Sequence, residues 1–149
     1  MSISKIKATI RFSGLIILVL AGFLAYMNLR TADPILPGWE DYEQSRFEDL
    51  MQRSEPVLVE IYASWCPTCL LQHKAFETLH EENRAPMIRA IRVDFDRDQA
   101  FIHANGFQST GLLVLFKNGK EVARASGLVT PEKILNFLDA QGIPSTSGA

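Results

Sequence analysis

Three features of the sequence predict an α/β domain, a central mixed sheet flanked by helices, carried behind an N-terminal transmembrane helix. Apolar runs at 57–63, 87–95 and 112–116 alternate with segments of helical periodicity. The pair Asn118-Gly119, between two strand-like runs, is the preferred centre of a type I′ hairpin, so the final strands should pair antiparallel. Phe12 to Leu29 carries no charged residue, and about 18 residues of helix reach about 27 Å, close to the hydrocarbon thickness of a bilayer.

Charge divides the chain in the same place. The whole chain has a formal net charge of −2. Residues 1–30 hold Lys5, Lys7, Arg11 and Arg30 and no acid, which leaves the remainder at −6. That acidic remainder has no stripe of Lys and Arg, which argues against a nucleic-acid partner. The basic residues lie mainly ahead of the apolar stretch, so the positive-inside rule keeps the N-terminus cytoplasmic and sends the rest across. A cleaved signal peptide is the competing reading, and it needs small residues at −3 and −1 of a cut site. The exits Ala25-Tyr26-Met27 and Arg30-Thr31-Ala32 lack that pair. Residues 1–30 are therefore expected to be an uncleaved signal anchor in the cytoplasmic membrane, with the C-terminal domain on the periplasmic side.

Residues 31–40, with Pro34, Pro37 and Gly38, read as an extended linker to a domain over 41–142. Trp39 and Tyr42 are expected to pack where the two meet. Ser45 with Glu48 three residues later has the form of a capping box, opening a short helix to about Arg53. The run Val57 to Ala63 is a strand, and a helix follows from about Pro67 to Asn83 with Leu70, Phe76 and Leu79 toward the sheet. Met87 to Phe95 is a second strand. Asp96-Arg97-Asp98 should cap a helix from about Gln99 to Asn105, stopped by Gly106. Leu112 to Phe116 is a buried strand, and Glu121 to Ala125 returns beside it. Thr130-Pro131-Glu132 supplies a cap, a proline at the first helical position and a first-turn acid for a last helix to about Gln141. Residues 143–149 read as a flexible tail.

The chemistry centres on Trp65-Cys66-Pro67-Thr68-Cys69, where the first strand runs into its helix. Thiols three positions apart at the start of a helix lie nearly one turn apart, within disulfide reach. The unpaired N–H groups and partial positive charge of the helix start stabilise a thiolate there. Cys66 is the expected nucleophile and Cys69, deeper by a turn, the resolving thiol. No other cysteine occurs, so the redox-active pair is the whole cofactor complement expected. Half a zinc site is the alternative. It would make the chain a metal-binding assembly factor with Cys66, Cys69 and His73 as ligands, His73 standing four residues after Cys69 on the same helix. Trp65 should cover one side of the sulfur and offer an apolar docking surface, and Pro67 and Thr68 should modulate the pair. Glu60 interrupts an otherwise apolar strand, a costly place for a carboxylate. Burial should make it a stronger proton acceptor, and so the candidate base for Cys69.

From about Ser45 to Ala140, two-thirds of the chain, the sequence resembles a thioredoxin-fold domain. The resemblance is carried by Trp-Cys-x-x-Cys after a strand, Phe116-Lys117-Asn118-Gly119 in the hairpin and Gly127 before the last helix. It implies a thiol–disulfide oxidoreductase acting on protein thiols and disulfides. It also implies that Glu60 occupies the place of the family's buried acid and Arg92 that of the lysine facing it, where Arg92 would hold Glu60 ionised or turn outward. Gly111, after Thr110, falls where the family has a cis-proline against the disulfide, which puts peptide recognition in question. Ser126 and Gly127 should form the other wall of that groove. Trp65 to Cys69 with His73 is further similar to the membrane-anchored reductants of bacterial cytochrome c maturation, without their extra strand–helix insertion. The Tyr62-Ala63-x-Trp65-Cys66 phrasing is similar to the outer domain of transmembrane electron-transfer reductases. Both likenesses imply a reductant fed by a transmembrane electron donor.

Overall fold

The computed structural model describes residues 13–24 and 36–146, and the chain divides into two units, 1–33 and 34–149. In the first, α1 covers residues 13–24 and presents Leu15, Ile17, Leu18 and Phe23 on its surface. Among the described residues no helix is long and apolar enough to cross a membrane. The predicted span over 12–29 lies in part outside the described residues, as do residues 31–35 of the linker.

The second unit is a five-stranded sheet in the order β1-β3-β2-β4-β5. Its elements are β1 (Trp39–Asp41), α2 (Gln44–Gln52), β2 (Val57–Tyr62), α3 (Pro67–Glu81), β3 (Arg89–Asp94), α4 (Gln99–Ala104), β4 (Leu112–Lys117), β5 (Lys120–Ser126) and α5 (Pro131–Asp139). β1, β3 and β2 run parallel, whereas β4 pairs antiparallel to β2 and β5 antiparallel to β4. The sheet is therefore mixed, as the alternating runs and the Asn-Gly turn predict. Asn118 and Gly119 both take positive φ, 51° and 71°, the backbone a two-residue I′ hairpin requires.

Every residue of β2 is buried, which places it at the centre of the sheet. Alternation sends its side chains to two cores. Leu58 joins Phe76 and Leu79 of α3, Leu113 and Leu115 of β4, and Ile134 and Leu138 of α5. Val57, Val59 and Ile61 join Leu50 of α2, Ile91 and Val93 of β3, and Phe101 and Ile102 of α4. Glu60 and Tyr62 lie on the Leu58 side, beneath α3. α5 begins as expected, with Thr130 accepting from the Lys133 amide and Pro131 at the first helical position.

Several local expectations are corrected. Trp39 and Glu40, read as linker, form the edge strand β1 against Ala90 and Ile91, and Trp39 also packs on Phe76. Ser45 does not cap α2. The helix starts two residues earlier than that cap implies, at Gln44 with Glu43 at the cap position, and Ser45 instead donates to Glu43 at 2.6 Å. The start is fixed from outside the helix, because Arg46 reaches back to both carboxylate oxygens of Glu40 on β1 at 2.7 and 3.0 Å. Asp98 likewise spends its carboxylate on the Asp94 amide at 2.8 Å, leaving α4 without a side-chain cap. Leu70 faces outward at 44% exposure, because the buried stripe of α3 runs through Cys69, Gln72, His73, Phe76 and Leu79. Met87 is exposed and precedes β3. Residues 143–146, expected in the tail, are pinned. Ile143 is buried, Met87 N–H donates to Pro144 O at 2.8 Å, and Thr146 N–H donates to Ala85 O at 2.9 Å.

Arg46 and Arg89 both bond Glu40, and Arg46 foremost holds its carboxyl below the usual carboxylate range. A depressed folded-state value means stability that is present above the unfolded value and lost as pH falls through the folded one. Glu40→Gln should therefore cost up to about 1 kcal/mol at neutral pH. Denaturant titrations should show that deficit shrinking once the pH drops below about 4.3.

Candidate active site

The strand–helix junction places both sulfurs. After Tyr62 the chain turns at Ala63, whose carbonyl accepts from the Cys66 N–H at 3.0 Å. Cys66 is the N-cap of α3, with extended backbone (φ −87°, ψ 111°), and Pro67 occupies the first turn, where a missing N–H costs nothing. Cys66 Sγ takes the place a serine or aspartate oxygen fills at an ordinary cap, accepting the Cys69 amide N–H at 3.1 Å. A sulfur so placed receives an N–H and the positive end of the helix. Both favour the thiolate. The two cysteines form a disulfide with Cα atoms 5.3 Å apart. Cys66 keeps 6% exposure and Cys69 none, so Cys66 is the outer sulfur and Cys69 the inner one.

Around the pair, Trp65 is 52% exposed, and its indole N–H donates to Asp96 at 2.6 Å. The ring is thereby tied to the segment after β3 as an exposed apolar surface. Gly111 lies against Cys66, and among the described residues no peptide bond is cis. Gly111 has φ +69°, its N–H donates to Ile61 O at 2.8 Å, and its carbonyl accepts from Gln72 at 3.3 Å. A Cβ built on Gly111 would stand 2.7 Å from Thr68 Cγ2 and 3.7 Å from Cys66 Sγ. Thr68 thus fills the volume that a side chain at 111 would need. Ser126 pairs with Leu112 at the end of β5, and Gly127 follows with φ +68°, so both border the Gly111 loop.

Beneath the pair, Glu60 is fully buried and its Oε2 stands 2.8 Å from His73 Nε2, while Oε1 has no hydrogen-bond partner. Arg92 stands opposite Glu60 in register but does not turn outward. It is 8% exposed, its guanidinium bonds Asp41 at 3.0 Å, and it lies 4.8 Å from the Tyr62 ring centre. His73 stacks on the same tyrosine, centroids 5.3 Å apart. Nε2 of His73, a member of the alternative metal set, faces Glu60. Among the described residues no group of three or more His, Cys, Asp or Glu side chains could hold a metal ion.

Two contributors, Asp96 and Gln72, escape the sequence reading, and the partner of a third, His73, does too. Asp96 resembles helix-capping chemistry but serves Trp65. Gln72 is a buried polar residue on α3, and its polarity within the buried stripe is the only local signal. His73 was visible as a partner of Cys69 by spacing, while its actual partner comes from another element.

An N-capping cysteine, a buried second cysteine and a buried carboxylate beneath them define a thiol–disulfide exchange site on a mixed sheet. The thioredoxin family model matches residues 39–140. Thioredoxin X of Arabidopsis thaliana chloroplasts is 33% identical over 107 residues, covering 68% of this chain and 57% of that protein. The thioredoxin of Chlamydia muridarum is 32% identical over 95 residues, covering 64% of this chain and 90% of that one. Among solved structures, Trxlp from Edwardsiella tarda EIB202 superposes with a TM-score of 0.61 at 31% identity, over 67% of this chain and 97% of that one. The chain belongs to the thioredoxin family, and it spans a little over half the length, 57%, of the chloroplast relative it matches.

The fit of Thr68 over Gly111 gives a test. Gly111→Ala combines a positive-φ penalty with the contact to Thr68 and should destabilise by about 1–3 kcal/mol. Adding Thr68→Ser removes Cγ2 and should recover part of that loss in chemical denaturation, the φ penalty persisting.

Proposed function

We propose that this protein is a membrane-tethered disulfide reductant, held by residues 1–30 in the cytoplasmic membrane with its catalytic domain on the periplasmic side. The observation that carries the catalytic half is Cys66 at the cap of α3 with the Cys69 amide on its sulfur. The tether is supported by the charge-free stretch over 12–29, the basic residues ahead of it and the apolar side chains along α1. A domain tethered outside the cytoplasm cannot draw on cytoplasmic reductants, which favours a transmembrane electron donor as one partner and periplasmic protein disulfides as the other. The likeness of Tyr62-Ala63-x-Trp65-Cys66 to the outer domain of transmembrane electron-transfer reductases supports the same direction of electron flow.

In each turnover the Cys66 thiolate attacks one sulfur of a partner disulfide and forms a mixed disulfide, releasing the partner's other thiolate. Cys69 then attacks Cys66 Sγ, and the partner leaves reduced. Trp65 and the Thr110-Gly111 and Ser126-Gly127 loops form the docking rim for the partner segment. Pro67 and Thr68 set the access and surroundings of the outer sulfur. Glu60 accepts the Cys69 proton, because a buried thiol ionises reluctantly and the nearby carboxylate carries an oxygen with no other hydrogen bond.

Cys66→Ser should abolish disulfide exchange. Cys69→Ser expressed in cells should accumulate mixed disulfides with its partners, recovered on non-reducing gels and identified after reduction. Recovery of no periplasmic adduct would contradict the proposal. Fractionation should place the full chain in the membrane pellet, and a soluble mature form starting after about Ala32 would remove the tether.

A further inference from the structure

We propose that His73 is a positioning residue for the second step, holding Glu60 so that its remaining oxygen receives the Cys69 proton. The inference rests on the reading of Glu60 as the proton acceptor and adds the group that governs it. A fully buried carboxylate needs a donor. In register the candidate is Arg92, but its guanidinium goes to Asp41 on β1 and over the Tyr62 ring. The imidazole of His73, itself 4% exposed, stands at Glu60 Oε2 instead, at 2.8 Å. That contact fixes the carboxylate's rotation and leaves Oε1 buried without a hydrogen bond.

The same helix carries Cys69 one turn before His73, on the same buried face. Cys69 Sγ is 4.0 Å from the carbonyl of Ile61, the residue after Glu60. The charged and titratable groups around the couple are Tyr62 stacked on the imidazole, Arg92 over that tyrosine with Asp41 behind it, and Cys69 itself. β4 contributes Leu113 opposite Glu60, and β1 contributes the Trp39 ring, 6.3 Å from the imidazole.

The step balances as follows. In the mixed disulfide, Cys66 Sγ is bonded to a sulfur of the partner protein. The Cys69 S–H proton passes to Glu60 Oε1, and the electron pair left on sulfur forms the Cys69–Cys66 bond. The Cys66–partner bond breaks, and its electron pair leaves on the partner sulfur as a thiolate, which takes a proton from solvent. The partner gains two electrons, the two cysteines lose two, and Glu60 later returns its proton to solvent.

The test separates the two steps in the full chain by acid quench and mass spectrometry, following formation and decay of the mixed disulfide with a peptide disulfide across pH. His73→Ala removes the group that holds Glu60 Oε2. Decay of the mixed disulfide should then slow by about tenfold or more, with first attack by Cys66 changed less than about twofold. His73→Gln, whose amide can still donate to Oε2, should restore most of the decay rate. An unchanged decay rate in His73→Ala, or equal slowing of both steps, overturns the inference. Glu60→Gln distinguishes the underlying reading. If it slows both steps equally, the role of Glu60 is lost. If it slows decay alone while His73→Ala changes nothing, only the role of His73 is lost. NMR of the His73 ring gives a readout independent of how His73→Ala folds. Its ring resonances should shift in Glu60→Gln, because Oε2 is in direct contact with Nε2, and unchanged resonances contradict the contact.

Discussion

The site depends on one constraint: the central strand must end where the helix begins, with a sulfur as the helix cap. β2 is buried along its whole length, so its direction and depth are fixed by two cores at once. The turn closed by Cys66 N–H on Ala63 O then delivers Cys66 to the cap position with little freedom left. From that placement follow the amide on its sulfur, the proximity of Cys69 one turn on, and the burial of Cys69 over the end of β2. A cap usually satisfies one of the orphan donors of a helix. Here the same bond is catalytic capital, because it favours the ionised sulfur that exchange chemistry requires.

Two side chains at unusual places shape the rest. Gly111 brings backbone to within side-chain distance of Cys66, and Thr68 occupies the volume above it. The loop is held by backbone and by Gln72, with both polar groups of Gly111 bonded internally. Below the pair, Glu60 and His73 place an ionisable couple in a setting where breaking a buried pair typically costs about 3–5 kcal/mol. Such an arrangement is a burden on stability, and the proposed proton transfer in the second step is the use we assign to it.

The architecture was legible from periodicity because β2, β4 and the hairpin are long, apolar and bounded by clear turn chemistry. The cysteine pair was legible because strand, Trp-Cys-x-x-Cys and helix are contiguous in sequence. What escaped depended on distant partners. β1 is three residues long and lies at an edge, so no period announces it, and only pairing with Ala90 to Arg92 makes it a strand. Ser45 and Asp98 carry the right chemistry for capping, yet each side chain bonds a near neighbour instead, Glu43 and the Asp94 amide, so neither supplies a side-chain cap. Leu70 and Leu71 sit next to one another on the helix. The packed stripe that decides their exposure runs through Cys69, Gln72 and His73, two of which look polar in sequence. His73 could be placed near Cys69 by counting, but Glu60 as its partner required the strand and helix to be superimposed.

The central claim is that the cap position makes Cys66 the reactive sulfur. The most direct test reduces the full chain and follows alkylation of each cysteine by mass spectrometry as a function of pH. The account predicts that Cys66 alone is modified at neutral pH, with a midpoint well below the value of about 8.5 for a free cysteine. Equal modification of the two sulfurs, or a Cys66 midpoint at or above that of a free cysteine, would contradict it.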